Sequence, residues 1–256
     1  MFKAKEYVKV RSLEEAYELN QKRSNLIVGG MMWLKMSSNI KITAIDLSGL
    51  GLDTIEETDE EFRIGCMCSL RALETHPGLD QAFGGVLKEC TRHIVGVQFR
   101  NGATVGGSLF GRYGFSDILT CLLALDTYVE LYAGGIVSLD EFSRMPYDRD
   151  ILVRVIIKKD GRKAAYLSQR NTKTDFPVLA CCAARSEDQY YISVGARPSR
   201  AKLVVIKRTA DVSAMAEEAA AQYDFYSNLR GSGEYRKKLA VICLRRLMEQ
   251  LEGGEA

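Results

Sequence analysis

The sequence predicts an α+β fold, and three observations lead to that prediction. Short β-rich apolar runs and short helical segments follow one another through the first 146 residues. A glycine-rich stretch at residues 98–117 interrupts this pattern with turn chemistry of its own. Beyond residue 150, a series of β-rich runs precedes a helical remainder, as in folds that keep strands and helices in separate layers.

The composition is that of a globular protein with a sizeable core. Apolar residues make up 46% and charged residues 27% of the 256 residues, which excludes a disordered chain. The 35 lysines and arginines nearly balance the 33 acidic residues and are scattered, so no nucleic-acid-binding surface is predicted. The length allows one large domain or two modest ones.

Neither a membrane segment nor a secretion signal is predicted. The most apolar stretch, residues 121–137, is interrupted by Asp126 and Glu130, and the N-terminus lacks the apolar core of a signal peptide. Seven cysteines lie mostly in apolar runs without a Cys-x-x-Cys pair, and only two histidines accompany them. We therefore expect reduced core thiols, a cytoplasmic location and no metal site.

The first elements are a helix and a strand that ends in a glycine turn. Ser12 and Glu15 form a capping box that predicts a helix over residues 13–21. The apolar residues 26–28 predict a strand leading into Gly29-Gly30, a dipeptide that also marks ordinary turns. The acidic residues 56–61 are expected to form a solvated turn. Further strands are predicted at residues 40–47, 62–67 and 127–132, and helices at residues 69–74, 81–90, 118–125 and 139–142.

The glycine-rich stretch is the strongest candidate for a ligand site. Its glycines leave backbone N–H groups without a covering Cβ, which suits a phosphate group. Hydroxyls and one carboxylate add the partners that a ribose needs, and Ser116 is a plausible N-cap for the next helix. The residues concerned are Gly102, Thr104, Gly106, Gly107, Ser108, Gly111, Ser116 and Asp117.

No side chain is predicted to act as a catalytic acid, base or nucleophile. His93 lies between an arginine and an apolar pair, where a structural role is commoner than a catalytic one. The sequence contains no convincing Ser/His/Asp set and no carboxylate pair. The cluster Met31-Met32-Trp33 is core-like when considered by itself.

The C-terminal part begins after a boundary at residues 145–147. Strands are predicted at residues 151–157, 164–168, 190–194 and 202–206, and the apolar segment 178–184 fits either a helix or a strand. Helices are predicted at residues 213–229 and 234–251. The basic groups at 236–238 and 245–246 are expected on the solvated side of the last helix.

Several of these motifs, taken in order, resemble the FAD-binding medium subunit of the molybdenum hydroxylases, the family of xanthine dehydrogenase, carbon monoxide dehydrogenase and 4-hydroxybenzoyl-CoA reductase. Residues 98–108 match the family's Gln-Ile-Arg-Asn-x-Ala-Thr-Ile-Gly-Gly-Asn, and Ser116-Asp117 match its Ser-Asp. Weaker matches occur at residues 28–33, 63–66, 170–175, 195–201 and 233–236.

The resemblance implies a fold and a domain division. Residues 1–147 would form a two-lobed FAD-binding domain of the type found in vanillyl-alcohol oxidase and the flavin-dependent cell-wall reductase. Its α+β lobes would comprise residues 1–55 and 56–146. Residues 148–256 would form a C-terminal α+β domain with a small antiparallel sheet and helices, similar to that of the carbon monoxide dehydrogenase flavoprotein.

The resemblance also implies where FAD would bind. The turn after the first strand would hold the diphosphate opposite the glycine-rich stretch, and Asp117 with Ser116 would contact the adenosine end. Ile94 and Val95 would lie beside the isoalloxazine ring, and Ile151 and Leu152 at the domain boundary. The complete set is Leu26, Ile27, Val28, Gly29, Gly30, Met31, Met32, Trp33, Ile94, Val95, Thr104, Gly106, Gly107, Ser108, Gly111, Ser116, Asp117, Ile151 and Leu152.

By the same resemblance, the chain is an oxidoreductase subunit whose substrate site lies on a partner. Electrons would arrive from an iron–sulfur small subunit, which receives them from a molybdopterin-binding large subunit, and leave through FAD to NAD or another acceptor. Met31, Met32 and Leu167 stand where the family has polar residues. Two alternatives therefore stay open: a flavin-free structural subunit of such a complex, or a stand-alone flavin reductase.

Overall fold

The computed structural model describes residues 1–253, which contain three sheets with helices packed on them. The first sheet is parallel and has the strand order β1-β3-β2. Its elements are β1 (Lys3–Lys9), α1 (Leu13–Asn20), β2 (Leu26–Val28) and β3 (Ile40–Asp46), with a 3₁₀ turn at Leu34–Met36. Ser12 caps α1 as predicted, because its hydroxyl accepts the N–H of Glu15 at 3.1 Å.

Strand β1 was not predicted, because its sequence carries no alternating apolar pattern. All but one of its side chains are exposed, and its order comes from the parallel ladder with β3. A strand at a sheet edge needs only this pairing, so its side chains are free to be charged.

The second sheet is antiparallel and has the strand order β4-β5-β8-β6-β7. Its strands are β4 (Ile55–Glu57), β5 (Glu61–Gly65), β6 (Thr127–Leu131), β7 (Gly135–Ser138) and β8 (Leu152–Lys158). The acidic stretch thus contains the end of β4 and a tight turn before β5, so the expectation of a turn throughout was wrong. Strand β8 pairs with β5 and β6, which places it in this sheet. The division between residues 147 and 148 stays a prediction; β8, which lies after that point, pairs within the second sheet.

The helices of the second sheet are short and separated by glycines. They are α2 (Leu70–Thr75), α3 (Pro77–Phe83), α4 (Val86–Thr91), α5 (Val97–Gly102), α6 (Val105–Phe110), α7 (Asp117–Ala124) and α8 (Leu139–Arg144). The single helix predicted at residues 81–90 was wrong. Gly84 and Gly85 have φ of 60° and 78°, and this left-handed pair ends α3 before α4 begins.

The third sheet is an antiparallel meander of the C-terminal part. It comprises β9 (Lys163–Gln169), β10 (Leu179–Arg185), β11 (Gln189–Gly195) and β12 (Lys202–Lys207), followed by α9 (Val212–Ala221) and α10 (Gly233–Glu252). Alternate side chains of β10 enter two cores: Cys182 faces the core shared with α7, and Cys181 faces α9 and α10. A strand buried on both faces has no apolar alternation, which explains why its sequence fitted a helix equally well.

The helix predicted at residues 213–229 was wrong beyond Ala221. The solvated position predicted for the basic residues of the last helix was wrong for Arg236, while Lys237, Lys238, Arg245 and Arg246 are exposed as predicted. Helix α9 ends at Ala221, and the loop that follows surrounds Arg236, which is fully buried. The Arg236 guanidinium donates to the carbonyls of Val178 and Tyr226, each at 2.8 Å. A buried cation needs these acceptors, and a continued helix would have used the loop carbonyls itself.

Candidate functional site

A cavity of about 620 Å³ lies between the end of β2, the helices α5 to α7 and the loop after β9. Its size is typical of small-molecule and cofactor sites. Val28 is buried beside the cavity and does not line it. The predicted residues that do line it are Leu26, Ile27, Gly29, Gly30, Met31, Met32, Trp33, Ile94, Val95, Thr104, Gly106, Gly107, Ser108, Gly111, Ser116, Asp117, Ile151 and Leu152.

The first wall of the cavity is the turn at residues 29–33, which we call the first glycine turn. Within residues 1–253, the backbone N–H groups of this turn have no protein acceptor. Met31 has a φ of 57°, a left-handed conformation unusual for a residue with a side chain. A row of unpaired N–H groups in such a turn forms a concave site for an anion.

Gly30 is required by close packing within the first glycine turn. A Cβ at this position would lie 1.5 Å from the carbonyl oxygen of Gly102, at the end of α5. Real Cβ atoms do not come this close to another atom. The turn can therefore pack this closely against α5 only if residue 30 is a glycine. The contact fixes the first glycine turn against the helices of the second sheet.

The second wall is formed by residues 104–107 at the start of α6, which we call the second glycine turn. Here three of the four N–H groups already have protein partners. Val105 donates to the carbonyl of Cys68 at 2.9 Å and Gly106 to that of Cys66 at 2.8 Å, while Gly107 donates to the Thr104 hydroxyl at 3.2 Å. The expectation that this backbone is bare was wrong, because two short helices, α5 and α6, occupy most of the glycine-rich stretch.

Gly106 has a packing role that the sequence pattern did not reveal. A Cβ at Gly106 would lie 2.7 Å from the Cβ and 2.8 Å from the carbonyl oxygen of Cys66. Its missing side chain therefore allows α6 to approach the segment after β5. The second glycine turn presents to the cavity the hydroxyls of Thr104 and Ser108 and the surface of two glycines.

Asp117 lies at the far end of the cavity and is 6% exposed. Its Oδ1 accepts hydrogen bonds from Tyr166 Oη and Arg170 Nη2, while Oδ2 has no side-chain partner within residues 1–253. Burial raises the pKa of Asp117, and the Arg170 charge and the Tyr166 hydrogen bond oppose that rise. One carboxylate oxygen is thus held by the protein, and the other is available to a hydroxyl donor in the cavity.

Ser116 performs the predicted capping role. Its hydroxyl accepts the N–H of Leu119 and donates to the carbonyl of Ser108, both at 3.1 Å. These bonds join the start of α7 to α6. Ser116 therefore fixes the orientation of the neighbouring Asp117 rather than offering its own oxygen freely.

A strained corner forms the side of the cavity at Ile94 and Val95. Val95 has a φ of 50°, which is rare for a β-branched residue, and it is 37% exposed. Arg100 holds this corner, because its Nη1 donates to the Ile94 carbonyl at 3.2 Å. The same guanidinium forms a buried bidentate pair with Glu74, at 2.7 and 3.1 Å. Strain of this kind is found where a backbone is held for a ligand.

Aromatic rings from three parts of the chain meet at the mouth of the cavity. Phe176, in the loop after β9, lies 5.2 Å from Trp33 and 4.3 Å from Phe115, measured between ring centroids. Trp33 also lies 5.0 Å from Phe99 and is 47% exposed. Met32 packs against the core as its sequence context indicated, whereas the core-like interpretation was wrong for Trp33, which is exposed. These side chains line the cavity without filling it.

Several lining residues were not predicted as site residues. Arg170 was noted only within a motif, and its pairing with Asp117 joins positions 53 residues apart. Asn20 and Arg149 line the cavity from the α1–β2 connection and the segment before β8. A lone arginine or asparagine in a connecting segment carries no signal that distinguishes it from a solvated one. Leu167 packs against the C-terminal core and does not line the cavity.

His93 does not line the cavity either. Its Nδ1 is buried without a hydrogen-bond partner, and burial lowers its pKa. Among residues 1–253, no three His, Cys, Asp or Glu side chains are grouped so as to hold a metal ion. In the same part of the chain, no helix combines the length and apolar character needed to cross a bilayer.

The cavity fits FAD in its donor set and in its size. The first glycine turn offers N–H donors for a diphosphate, and hydrogen bonds to a charged group contribute about 1.5–3 kcal/mol each. Asp117 offers a carboxylate oxygen for a ribose hydroxyl. Apolar side chains at Ile94, Val95 and Leu152 provide a surface for a flat ring.

Comparisons with known proteins identify a sequence relative and solved structures of similar fold. A protein of Escherichia coli K12 described as "Uncharacterized protein YgfM" is 27% identical, with 96% of each chain covered. Carbon monoxide dehydrogenase from Hydrogenophaga pseudoflava contains a chain with a TM-score of 0.85 and 22% identity, with 96% of each chain covered. A chain of quinoline 2-oxidoreductase from Pseudomonas putida 86 has a TM-score of 0.83 and 19% identity, covering 98% of this chain and 95% of that one.

The structural similarity confirms the predicted α+β fold. Residues 2–159 match the family model described as the FAD binding domain in molybdopterin dehydrogenase. That match ends just after β8, where the second sheet is complete. The family indicates FAD as the cofactor. The chain belongs to the family of FAD-binding domains of molybdopterin dehydrogenases.

Proposed function

We propose that this chain is the FAD-binding subunit of a molybdenum hydroxylase-type complex and transfers electrons out of that complex. The observation that carries the proposal is the first glycine turn, whose residues line a cofactor-sized cavity and whose N–H groups have no acceptor within residues 1–253. Bound FAD would supply the electron-accepting and electron-donating chemistry. This chain would bind, orient and shield it.

Three groups of residues would divide the binding work. The first glycine turn would hold the diphosphate, and Asp117 would accept a ribose hydroxyl through Oδ2. The corner at Ile94 and Val95 would support the ring, held by Arg100. None of these residues would need to gain or lose a proton, which fits an electron-transfer role.

The partners follow from the family and from the neighbours' names. We propose an iron–sulfur subunit as the electron donor and a molybdopterin-binding subunit as the substrate-oxidising partner, with NAD or another acceptor receiving the electrons. Carbon monoxide dehydrogenase and quinoline 2-oxidoreductase are both oxidoreductases, and the former was described in a form that lacks the Mo-pyranopterin moiety of its molybdenum cofactor. The xanthine dehydrogenase-like activity and the acceptor remain predictions.

Purified protein titrated with FAD tests the first part of the proposal. We expect saturable quenching of flavin fluorescence and a bound-flavin absorbance spectrum at one FAD per chain. Riboflavin, which lacks the diphosphate, is the matched control ligand and should bind more weakly because it cannot use the first glycine turn. Absence of FAD binding would support the flavin-free structural alternative.

Affinity purification of the tagged chain from its own cells tests the second part. We expect co-purification of iron–sulfur and molybdopterin subunits. An isolated chain that binds FAD and reduces acceptors with NAD(P)H alone would instead support a stand-alone flavin reductase.

A further inference from the structure

Arg149 connects two parts of the protein that are distant in sequence. It lies in the segment between α8 and β8, and its side chain reaches the connection between α1 and β2. Its Nη2 donates to the carbonyls of Lys22 and Asn25 at 2.8 and 2.9 Å, and its Nε donates to the carbonyl of Asn20. One guanidinium thus donates hydrogen bonds to three backbone carbonyls of a single connecting segment.

The connecting segment returns hydrogen bonds to the same residue. Asn20 Nδ2 donates to the Arg149 carbonyl at 2.8 Å, and Gln21 Nε2 donates to it at 3.2 Å. Asn20 is 6% exposed, so its hydrogen bond to Arg149 is partly shielded from water, whereas that of Gln21 is exposed. Hydrogen bonds with one charged partner are stronger than neutral ones, and their strength increases where water is excluded.

The next residue anchors the segment to the second sheet. The Asp150 carboxylate accepts the N–H groups of Ala133 at 3.0 Å and Gly134 at 2.8 Å, directly after β6. The pair Arg149-Asp150 therefore joins the first sheet to the second. Within this pair, the Arg149 guanidinium donates to the carbonyl of Asn25, the residue immediately before β2.

Strand β2 is only three residues long and leads directly into the first glycine turn. Any movement of the connection at residues 20–25 would pass through this strand to the N–H groups at residues 29–33. This short edge strand is held by a single ladder partner, β3. One partner is not enough to keep β2 in place, so the movement would reach the turn that follows it. The position of the first glycine turn across the cavity thus depends on the Arg149 contacts.

We infer that Arg149 is a positioning residue for the diphosphate of FAD. It holds the α1–β2 connection so that the N–H groups of the first glycine turn converge on one point. The inference rests on the proposed FAD-binding function. Lysine preserves the charge but has no planar fork, so it cannot reproduce the three-carbonyl contact.

The variants Arg149→Lys and Arg149→Gln test this role, with Arg144→Lys as the matched control. Arg144 lies on α8, and its exposed side chain pairs only with its own helix, at Asp140. We expect Arg149→Lys to weaken FAD binding by about tenfold or more, Arg149→Gln to weaken it further, and Arg144→Lys to leave it unchanged.

Hydrogen–deuterium exchange of the FAD-free variants provides a second measurement. We expect faster exchange confined to residues 20–28, which contain the hydrogen-bonded amides of the connection and of β2, with residues 163–207 unchanged. The absorbance spectrum of FAD at saturation should match the wild type, because the ring contacts are elsewhere.

Two results would overturn the inference. One is wild-type FAD affinity together with wild-type exchange in Arg149→Lys. The other is faster exchange throughout the chain, which would make Arg149 a general stability residue. If the wild-type protein itself binds no FAD, the proposed function fails, while the exchange measurement still decides whether Arg149 orders residues 20–28.

Discussion

Residues 29–33 and residues 104–107 each place two adjacent glycines beside the cavity, but their backbone N–H groups have different partners. In the first glycine turn these groups have no protein acceptor within residues 1–253. In the second, the N–H groups of Val105, Gly106 and Gly107 donate to Cys68, Cys66 and Thr104. Among the described residues, the first turn thus keeps all of its N–H donors for a ligand, whereas the second uses three of its four within the protein.

The comparison shows that the same pair of adjacent glycines can lead into two different backbone conformations. In both turns a glycine allows close approach of backbone to backbone, of Gly30 to Gly102 and of Gly106 to Cys66. What differs is the conformation that follows. The first turn changes direction through Met31 with a positive φ, whereas the second continues into α6 and its donors are used as helix N-terminal groups are.

The largest effect on FAD affinity is expected from Gly30→Ala, which tests the first glycine turn. The new Cβ would overlap the Gly102 carbonyl oxygen, so the turn must move away from α5. We expect FAD affinity to fall by about a hundredfold or more, equivalent to at least about 2.7 kcal/mol. Fluorescence titration provides the measurement. Gly96→Ala is the control, since a Cβ there would meet only Gln98 Oε1 at an ordinary 3.5 Å.

The next largest effect is expected from Asp117→Asn. This variant tests whether side chains outside the first glycine turn contribute to FAD binding. The change removes the acceptor of a ribose hydroxyl and leaves the buried Arg170 without its counter-charge. FAD affinity should fall by about tenfold to a hundredfold, or about 1–3 kcal/mol. Tyr166→Phe removes one hydrogen bond from Oδ1 and preserves the ion pair, so it should bind FAD more tightly than Asp117→Asn. Equal losses in both variants would contradict a separate role for the carboxylate.

Gly106→Ala should affect stability more than ligand binding. Its N–H is already bound to Cys66, and the new Cβ would crowd the same residue. We expect the FAD-free protein to lose about 1–3 kcal/mol of unfolding free energy, with a melting temperature lower by about 2–4 °C for each kcal/mol. Thermal unfolding with and without FAD provides the measurement. Unchanged stability with abolished FAD binding would remove the distinction between the two turns.

The smallest effect on FAD binding is expected from Glu252→Gln, because Glu252 lies far from both turns. Arg208 and Tyr190 lower the pKa of Glu252 from 4.5 to about 2. A lowered pKa in the folded state stabilises the protein above pH 4.5, and this contribution is lost as the pH falls towards about 2. Urea unfolding across this range should show a steeper loss in the wild type than in Glu252→Gln. FAD affinity at neutral pH should be the same in both.

The parts of the fold that were predicted correctly depend on neighbouring residues. The capping residues Ser12, Ser69 and Ser116 each bind the N–H three positions later, as their sequence context indicated. The strand β2 and the turn after it were also predicted, since apolar residues and glycines lie side by side. The errors at α9 and at β1 arose where distant packing outweighed local preference, whereas the error at α3 and α4 concerned the local pair Gly84-Gly85.

The features of the candidate site also separate into those that depend on neighbouring residues and those that depend on distant contacts. The sequence alone determined which residue types border the cavity, because the motifs at residues 28–33 and 98–117 are contiguous and their family resemblance is specific. Only the tertiary structure decided which backbone donors are available, since that depends on carbonyls of Cys66 and Cys68 some 40 residues before the second turn. It also decided the pairing of Asp117 with Arg170 and the contacts of Arg149 with residues 20–25. A hydrogen bond between distant positions leaves no local pattern, so the folded chain alone determines which groups remain free to bind.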